Sequence, residues 1–287
     1  MRGATSLALA MSVAWSSAAL ADDETPPVLG GKTYVQHQVL EAKSRHKEIA
    51  GITVVGKGAD GKTSIVMGST ASARNVFKAA SEPADGSKVE GRYFIVREPF
   101  LSSSAHRLGT IEIRFPSRPA EKSRYLEVAK NVQAKMARST LSGKNALDPY
   151  PFDPGFGPGT YAQRLTEKTV AAHPDLLVMM IHATPPGGAY NVIIGSNIGR
   201  FGKRADEDDL RVIQKGSTNL EVGGDNDRFE TELPLLDRSG KRIGALGLVF
   251  GLKPDTDKDA LHKHGIAIRD EVARAIPNNG ALFKPAR

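Results

Sequence analysis

Eight residues of this chain, GKGADGKT at 56–63, match the pattern of a phosphate-binding loop. Such a loop binds phosphate because a helix begins directly after its glycines and points backbone N–H groups at the anion. Here the residues that follow, SIVMGS at 64–69, are typical of a strand. Asp60 and Gly61 also form a favoured hairpin turn pair. We therefore interpret 56–63 as a turn between two strands.

Three acidic residues near the other end of the chain, Asp255, Asp257 and Asp259, begin like a calcium-binding loop. Such a loop needs Gly at its sixth position and Glu at its twelfth. Those positions hold Ala260 and Ile266. Because acidic residues also stabilise the first turn of a helix, the spacing predicts a helix start instead.

Histidine could bind a metal at two places in the sequence. His262 and His264 stand two residues apart, so on a helix they point in different directions. His182 and Met180 would share one face of a strand, and softer metals accept such ligands. A single His on an apolar strand is more often a core or pocket residue, however. We therefore predict no metal site and no cofactor.

Little in the sequence favours enzyme chemistry. The chain has no cysteine, which excludes a thiolate nucleophile. The stretch GSNIG at 195–199 lacks the residue order of a G-x-S-x-G nucleophile elbow. The acidic run ADEDDL at 205–210 is typical of an exposed helical turn. We predict no catalytic residues, and a hydrolase stays open as the least favoured function.

A cluster of cationic residues follows the apolar run YNVIIGS at 190–196. Its Arg200 is the most informative, because a guanidinium group binds a carboxylate or phosphate through two parallel hydrogen bonds. Polar residues on the adjoining strands could complete a pocket for a small, anionic ligand. The alternative, that these residues are solvated charges and a helix cap, stays open. The candidate ligand-binding residues are Asn197, Arg200, Lys203, Arg204, His182, Tyr190 and Asn191.

Two gapless pairs of segments indicate an internal repeat. Residues 32–69 align with 159–196 at an offset of 127, and residues 92–115 align with 227–250 at an offset of 135. In the second pair, 7 of 24 positions are identical. Two blocks in the same order at similar spacing favour a duplicated unit over chance similarity.

Each copy has the same predicted order of elements: a helix, two strands, a variable middle segment, a two-stranded hairpin and a closing helix. The variable segment spans 70–91 in the first copy and 197–226 in the second. The closing helices fall near 119–138 and 255–276. The sequence thus predicts an α+β fold with two domains in tandem, each an antiparallel sheet flanked by helices.

Composition indicates where the domains begin and end. The stretch 142–160 contains four Pro and four Gly, which disfavour a helix or a central strand. The chain opens with Arg2, an apolar run and an Ala-Leu-Ala cleavage pattern, which are typical of a secretory signal peptide. We therefore expect a signal peptide at 1–21, a first domain at 22–141, a linker at 142–158 and a second domain at 159–287.

Charge and hydropathy bound the partners. The 287 residues include 39 Lys+Arg and 32 Asp+Glu, a formal net charge of +7. These cations are spread along the chain rather than clustered with aromatic residues, so we expect no nucleic-acid partner. No apolar stretch after residue 21 approaches the roughly 18 residues that a membrane span needs. We expect no membrane insertion after signal removal, and a periplasmic or secreted location.

The hairpin TELPLLDRSGKRIGALGLVF at 231–250, in a segment that opens with a long helix, resembles the extracellular Cache sensor family, which is PAS-like. The resemblance covers most of 159–280 and, more faintly, 33–138. It implies two PAS/Cache-like domains in which a ligand binds between the sheet face and the variable segment. It also implies a small-molecule sensor that signals to a membrane receptor partner. The alternative is a periplasmic adaptor that makes protein contacts without a ligand.

Overall fold

The computed structural model describes residues 33–58, 62–70 and 84–286. The predicted signal peptide at 1–21 and the turn pair at 60–61 lie outside these residues. Among the helices of the described part of the chain, none has the length and apolar content needed to span a bilayer.

The first half of the chain folds as a helix, a β-hairpin, three further strands and a closing helix. The loop at 56–63 joins two antiparallel strands, and no helix follows it, as the sequence predicts. The elements are α1 (Tyr34–Arg45), β1 (Gly51–Lys57), β2 (Ser64–Ser69), β3 (Gly86–Glu90), β4 (Tyr93–Leu101), β5 (Arg107–Pro116), a 3-10 turn (Pro119–Glu121), α2 (Lys122–Arg138) and α3 (Gly143–Ala146).

The second half repeats this order, and its variable segment contains a helix at Glu207–Lys215. Asp257 caps the closing helix by accepting hydrogen bonds from the backbone N–H groups of Asp259 and Ala260, which confirms the predicted helix start. The elements are α4 (Tyr161–Ala172), β6 (Leu176–Ala183), β7 (Val192–Ser196), α5 (Glu207–Lys215), β8 (Asn219–Val222), β9 (Arg228–Leu236), β10 (Arg242–Gly251), α6 (Lys258–Ala275) and α7 (Asn279–Leu282).

Both halves build the same sheet. The strand orders are β2-β1-β5-β4-β3 and β7-β6-β10-β9-β8, and every neighbouring pair is antiparallel. The second order is the first with every number raised by five, so the repeat read from the sequence recurs in the topology. The fold is α+β, with two five-stranded antiparallel sheets flanked by helices, which is compatible with two tandem sheet domains.

Each sheet carries its main apolar core on one face. In the second half α4 and α6 cover this face, where Ile181 and Phe250 are almost fully buried. Successive strand residues alternate between faces, so Met180 and Val249 point the other way. There they pack with Leu141, and α5 lies over the neighbouring strands. The second sheet is therefore covered on both faces.

The repeated Thr and Gln residues fix the first helix of each half in the same way. Thr160 caps α4 by accepting a hydrogen bond from the Gln163 backbone N–H. The Gln163 side chain accepts a second one from the Ser196 N–H, at the end of β7. The first half makes both bonds with the equivalent residues Thr33, Gln36 and Ser69. These identities therefore serve the fold rather than a ligand.

Repeated glycines allow two strands to approach closely. A Cβ atom at Gly244 would overlap the His182 carbonyl oxygen, and one at Gly109 would overlap the Val55 carbonyl oxygen. Gly109 lies on β5, which pairs with β1, and Gly244 lies on β10, which pairs with β6. Their identity in the two copies thus has a steric cause.

The Pro- and Gly-rich segment contains one turn of helix at its start. This turn, α3, forms at Gly143–Ala146, before the first proline at Pro149. After it, Pro149 bridges to Thr33, and Pro285 bridges to Thr160 in the second half. The chain that follows each closing helix therefore returns to the helix cap of its own half.

Two strands and one buried acid differ from the sequence-based picture. β3 and β8 add a fifth strand to each sheet within the variable segments. Asp209, in the run predicted to be an exposed helical turn, is only 5% exposed. That prediction was wrong for Asp209 because this side of α5 faces the sheet, where His182 lies beneath it.

Candidate functional site

An acidic pocket of about 160 Å³ lies between α5 and the sheet face opposite α4 and α6, and Leu141, Lys144 and Asn145 from the segment around α3 also line it. Strands β6, β7, β8 and β9 contribute to it, and the start of α5 covers it. Six acidic side chains line it, against four from Lys and Arg. The lining side chains that matter most here are His182, Asp206, Asp209, Arg228, Glu230 and Glu232.

Local sequence fixes the helix that covers the pocket. Asp206 accepts hydrogen bonds from the backbone N–H groups of Asp208 and Asp209, and the Asp209 side chain accepts one from the Asp206 N–H at 3.0 Å. This reciprocal capping satisfies N–H groups that the first turn of a helix leaves unpaired. Val212 of α5 is fully buried, and Gly216 ends the helix with a left-handed φ of 71°. The acidic start of α5 is thus held over the sheet.

Two glutamates of β9 face the pocket side by side. Glu230 and Glu232 are two residues apart on a strand, so they share a face. Desolvation raises the pKa of Glu230 from 4.5 to about 7, and the Glu221 carboxylate adds to the rise. Desolvation, together with the nearby Asp209 carboxylate, also raises the pKa of Glu232 well above its usual range. Both groups therefore titrate far above the range of an ordinary glutamate.

Neither glutamate has a cationic partner within the described residues. Glu232 accepts a long hydrogen bond, 3.5 Å, from the Asn219 side chain. Arg228 lowers the pKa of Glu230, but its guanidinium donates to Asp227 at 3.2 Å instead. Acidic side chains are seldom buried unless they are paired. The negative charge of the two glutamates therefore favours the binding of a cation in the pocket.

His182 lies beside the glutamates and next to a third inner acid. Its Nδ1 is 3.3 Å from Oδ2 of Asp209, and both residues are buried. The Asp209 carboxylate accepts a hydrogen bond from the Asp206 N–H at 3.0 Å. Within the described residues Glu230 and Glu232 accept no such backbone bond, so they are the inner acids best placed to bind a ligand.

The corresponding face of the first half is chemically different. At the offset of 135, Ile95 and Arg97 stand where the second half has its two glutamates. Arg97 and Arg114 both pair with the Glu112 carboxylate, each at 2.8 Å. The charges on this face satisfy one another. The two copies therefore have sheets of the same strand order but carry different charges on this face of the sheet.

Arg200, expected from the sequence to bind a ligand, forms a buried ion pair with Asp148. Its guanidinium carbon lies 5.2 Å from the ring centre of Tyr34 and 5.8 Å from that of Phe152. Burial lowers the pKa of Arg200 to about 10. Lys203 places its Nζ 3.3 Å from the same Asp148 carboxylate. Arg200 and Lys203 both border the acidic pocket, and both pair with the single Asp148 carboxylate, so the three residues together keep one positive charge.

The two candidate asparagines serve the fold or lie apart from the pocket. Asn197 accepts a hydrogen bond from the Met179 N–H and donates one to the Leu177 carbonyl, both at 2.9 Å. It thereby holds the chain after β7 against β6. The Asn191 amide group is buried without a hydrogen-bond partner in the described part of the chain, and it does not line the acidic pocket.

Tyr190 and Arg204 meet at the surface. The Arg204 guanidinium carbon lies 4.0 Å from the centre of the Tyr190 ring. The Tyr190 hydroxyl donates a 2.7 Å hydrogen bond to the Asp153 carboxylate. Of the seven candidate residues, His182, Arg200 and Lys203 come together at the acidic pocket, and the other four do not line it.

A larger cleft of about 480 Å³ lies between the two halves, beside the Pro- and Gly-rich segment. Aromatic rings dominate it, and the rings of His37 and Tyr150 stack at 4.2 Å. Two of its charged residues, Glu41 and Lys135, pair with each other at 3.1 Å. The smaller acidic pocket is the stronger candidate site because its charges lack such balance.

Glu230 and Glu232 are the site residues that sequence reasoning missed. The available signal was the pair of acids two residues apart within an otherwise apolar strand. Acids at that spacing must share one face. Alignment with Ile95 and Arg97 also marks them as particular to the second copy.

No protein-family model matches this chain, and no curated protein matches it either. The functional argument therefore depends on the geometry of the pocket. Carboxylates that are desolvated and positioned on a strand can bind a metal cation or an ammonium group, or exchange protons near neutral pH.

Proposed function

We propose that the second half binds a small molecule with a positively charged group, such as a primary amine, in the acidic pocket. The observation that carries this proposal is the pair Glu230 and Glu232, which face a cavity without a cationic partner among the described residues. An ammonium group would donate charge-assisted hydrogen bonds to both carboxylates and favour their ionised forms. The proposal differs from the anionic ligand expected from Arg200, because Asp148 already neutralises that side chain.

The size of the pocket limits the ligand. Its volume of about 160 Å³ is below the roughly 300–1,000 Å³ of pockets that enclose drug-sized molecules. Lys144 on its border, which has no ion pair among the described residues, would meet a second, anionic group on the same ligand. The ligand class that fits best is therefore a small amine or a small zwitterion.

We also propose that the chain is a PAS/Cache-like sensor. This is supported by the element order that both halves share and by the position of the pocket between the sheet and the variable segment. The signal-peptide pattern at 1–21 supports a periplasmic or secreted location. In this proposal the liganded protein signals to a membrane receptor partner.

The acidic start of α5 offers a way to transmit binding. Asp206 and Asp209 border the same pocket as the two glutamates, so a bound cation would attract α5 and β9 together. Ligand that binds this closed arrangement more tightly would shift the population toward it. A partner that contacts α5 could then distinguish the free from the bound protein.

The test is a thermal-shift screen followed by calorimetry on the chain from residue 22 onward. The panel contains small monoamines, diamines, zwitterionic amino acids and, as the anionic comparison, dicarboxylates. The variants are Glu230→Gln and, as a control for loss of one acidic charge, Glu127→Gln on the exposed side of α2. We expect an amine to raise the melting temperature of the wild type and of Glu127→Gln but not of Glu230→Gln.

Two results would contradict the proposal. Stabilisation by dicarboxylates but not by amines would indicate that the cationic residues bind an anionic ligand instead. No stabilisation by any panel member would favour an adaptor that works without a ligand.

A further inference from the structure

A cluster of histidines and carboxylates lies where α4 and α6 meet, on the sheet face opposite the acidic pocket. The Nε2 atom of His173 is 3.1 Å from Oε2 of Glu271. The Nε2 atom of His264 is 3.2 Å from Oδ2 of Asp175. The ligand atoms of His173, Asp175 and His264 all lie within 4.8 Å of one another. Three different elements thus bring their ligand groups to one point.

The backbone and the core hold these side chains in place. His173 is the C-cap of α4, where its N–H donates to the Thr169 carbonyl. Asp175 directly precedes β6. His264 packs its ring 5.6 Å from that of Phe250 and 5.4 Å from that of His173. The cluster is open on one side, because the Asp175 side chain is 55% exposed. An ion could enter without unfolding any element.

The first half keeps part of this cluster and replaces the rest. His46 is the C-cap of α1, as His173 is of α4, and Glu48 stands at the place of Asp175. An offset of 136 aligns the buried positions of α2 with those of α6, and it puts Val128 at the place of His264. Glu48 pairs instead with Arg124 at 3.3 Å. The second half therefore has the additional histidine, His264. Its His–carboxylate cluster stands where the first half has the Glu48–Arg124 salt bridge.

We propose that His173, His264 and Asp175 bind a divalent first-row transition metal, for which Zn²⁺ is the best fit. Imidazole nitrogen and carboxylate oxygen are ligands that Zn²⁺ accepts, and three protein ligands with an open fourth position are a common zinc arrangement. At Zn–ligand distances of about 2.0–2.2 Å, neighbouring ligand atoms of a tetrahedral ion are about 3.3–3.6 Å apart. The His264–Asp175 contact of 3.2 Å is close to that separation, and the other ligand atoms lie within 4.8 Å of these, so small side-chain rotations bring all three to one ion. A water molecule takes the fourth position.

The bound ion fastens the closing helix to the rest of the second half. It links α6 to the end of α4 and to the start of β6, where two His–carboxylate contacts and the His173–His264 ring contact already lie. This site does not depend on the amine pocket, because the two lie on opposite faces of the sheet. His262, two residues from His264 in the sequence, takes no part in it.

The experiment uses chain without an affinity tag, stripped of metal, and titrates it with ZnCl₂ by calorimetry. CoCl₂ gives a second readout, because tetrahedral Co²⁺ absorbs strongly in the visible range. The variants are His264→Val, which introduces the residue that the first half carries as Val128, and His262→Val as the matched control on the same helix. We expect wild type and His262→Val to bind Zn²⁺ and gain thermal stability. We expect His264→Val to bind more than about tenfold more weakly.

A second ligand variant tests the same site independently, and a second His–carboxylate cluster is tested as the alternative site. His173→Ala, whose helical content is checked without metal by circular dichroism, should lose binding as His264→Val does. Unchanged Zn²⁺ affinity in both variants, or no Zn²⁺ binding to the wild type, would overturn the proposal. So would loss of binding in His106→Ala alone, which would assign the ion to His106, Asp225 and Asp227.

Discussion

Glu230 carries an energetic penalty whenever its carboxylate is ionised in the folded protein. Its pKa is raised from 4.5 to about 7 by desolvation, so the folded state holds the proton more tightly than the unfolded chain does. The contribution of Glu230 to the free energy of unfolding is therefore fully present below pH 4.5, and it is lost as pH rises through about 7. A binding pocket can retain such a group because a cationic ligand offsets the penalty.

We predict that Glu230→Gln stabilises the free protein at pH 8 by about 1–3 kcal/mol, since glutamine removes the desolvated charge and keeps the shape. At pH 4.5 most of the gain should disappear, because Glu230 is then protonated in the folded protein and about half protonated in the unfolded chain. Urea unfolding at the two pH values measures both free energies. An equal gain at both would show that packing, rather than ionisation, explains the change.

The same pKa predicts how binding depends on pH. A small amine stays charged between pH 6 and 8, because its own pKa lies near that of lysine, about 10. Protons compete with it at Glu230, so its dissociation constant should be about tenfold larger at pH 6 than at pH 8. Calorimetric titration with the amine found in the screen gives the two constants. Affinity that rises as pH falls would exclude the two glutamates as its anchor.

At the scale of elements, α5 depends on Asp206 for both its start and its charge. We predict that Asp206→Ala destabilises the protein by about 0.5–2 kcal/mol, because the first turn of α5 loses its cap. Asp206→Asn removes the same charge but retains a good cap, so it should keep most of that stability. Hydrogen exchange at the amides of α5 would distinguish the variants. Similar protection in both would mean that tertiary contacts alone hold the helix.

Elements with an apolar pattern could be read from the sequence, and elements without one could not. The run at 64–69 is a strand with the expected bounds, because four of its six residues are buried and the buried ones give the sequence its apolar pattern. β3 is exposed at all five positions, and β8 has no buried residue. Both are edge strands that form because a neighbour offers backbone hydrogen bonds. Composition carries little trace of such pairing.

The candidate site was only partly visible for a similar reason. His182 and the variable segment could be placed at the pocket, because strand parity and chain order are local properties. Arg200 read as a ligand-binding group because its partner, Asp148, lies 52 residues away in the Pro- and Gly-rich segment. Only the tertiary fold pairs those charges. Within the described ranges, the same fold gives Glu230 and Glu232 no cationic partner.

At the scale of the whole molecule, the two halves share one fold and differ in side-chain chemistry. Both keep the capping bonds, the close strand contact and the strand order, which are requirements of the fold. They differ in the charges on the sheet face opposite the closing helix and in the side chains beside that helix. They are also joined by buried polar contacts, since the Tyr34 hydroxyl donates a 2.9 Å hydrogen bond to the Ile198 carbonyl.

The Arg200–Asp148 pair is the clearest test of that junction. Arg200 is charged, 4% exposed and held at a positive φ of 70°, an uncommon conformation for a residue other than glycine. Removing one partner leaves the other charge buried, so Arg200→Ala should destabilise the protein by about 3–5 kcal/mol. Lys203→Ala, whose side chain is 26% exposed, should cost less than about 1 kcal/mol.

Replacing both partners separates the role of the charges from the role of packing. Arg200→Met combined with Asp148→Leu should recover most of the loss, because apolar groups of similar volume need no counter-charge. Calorimetry of the four proteins would give the unfolding transitions, and we expect the single variant Arg200→Ala to split a shared transition into two as the halves uncouple. An unchanged single transition in Arg200→Ala would mean that the guanidinium is hydrated and free, and Arg200 would again be available to bind an anion.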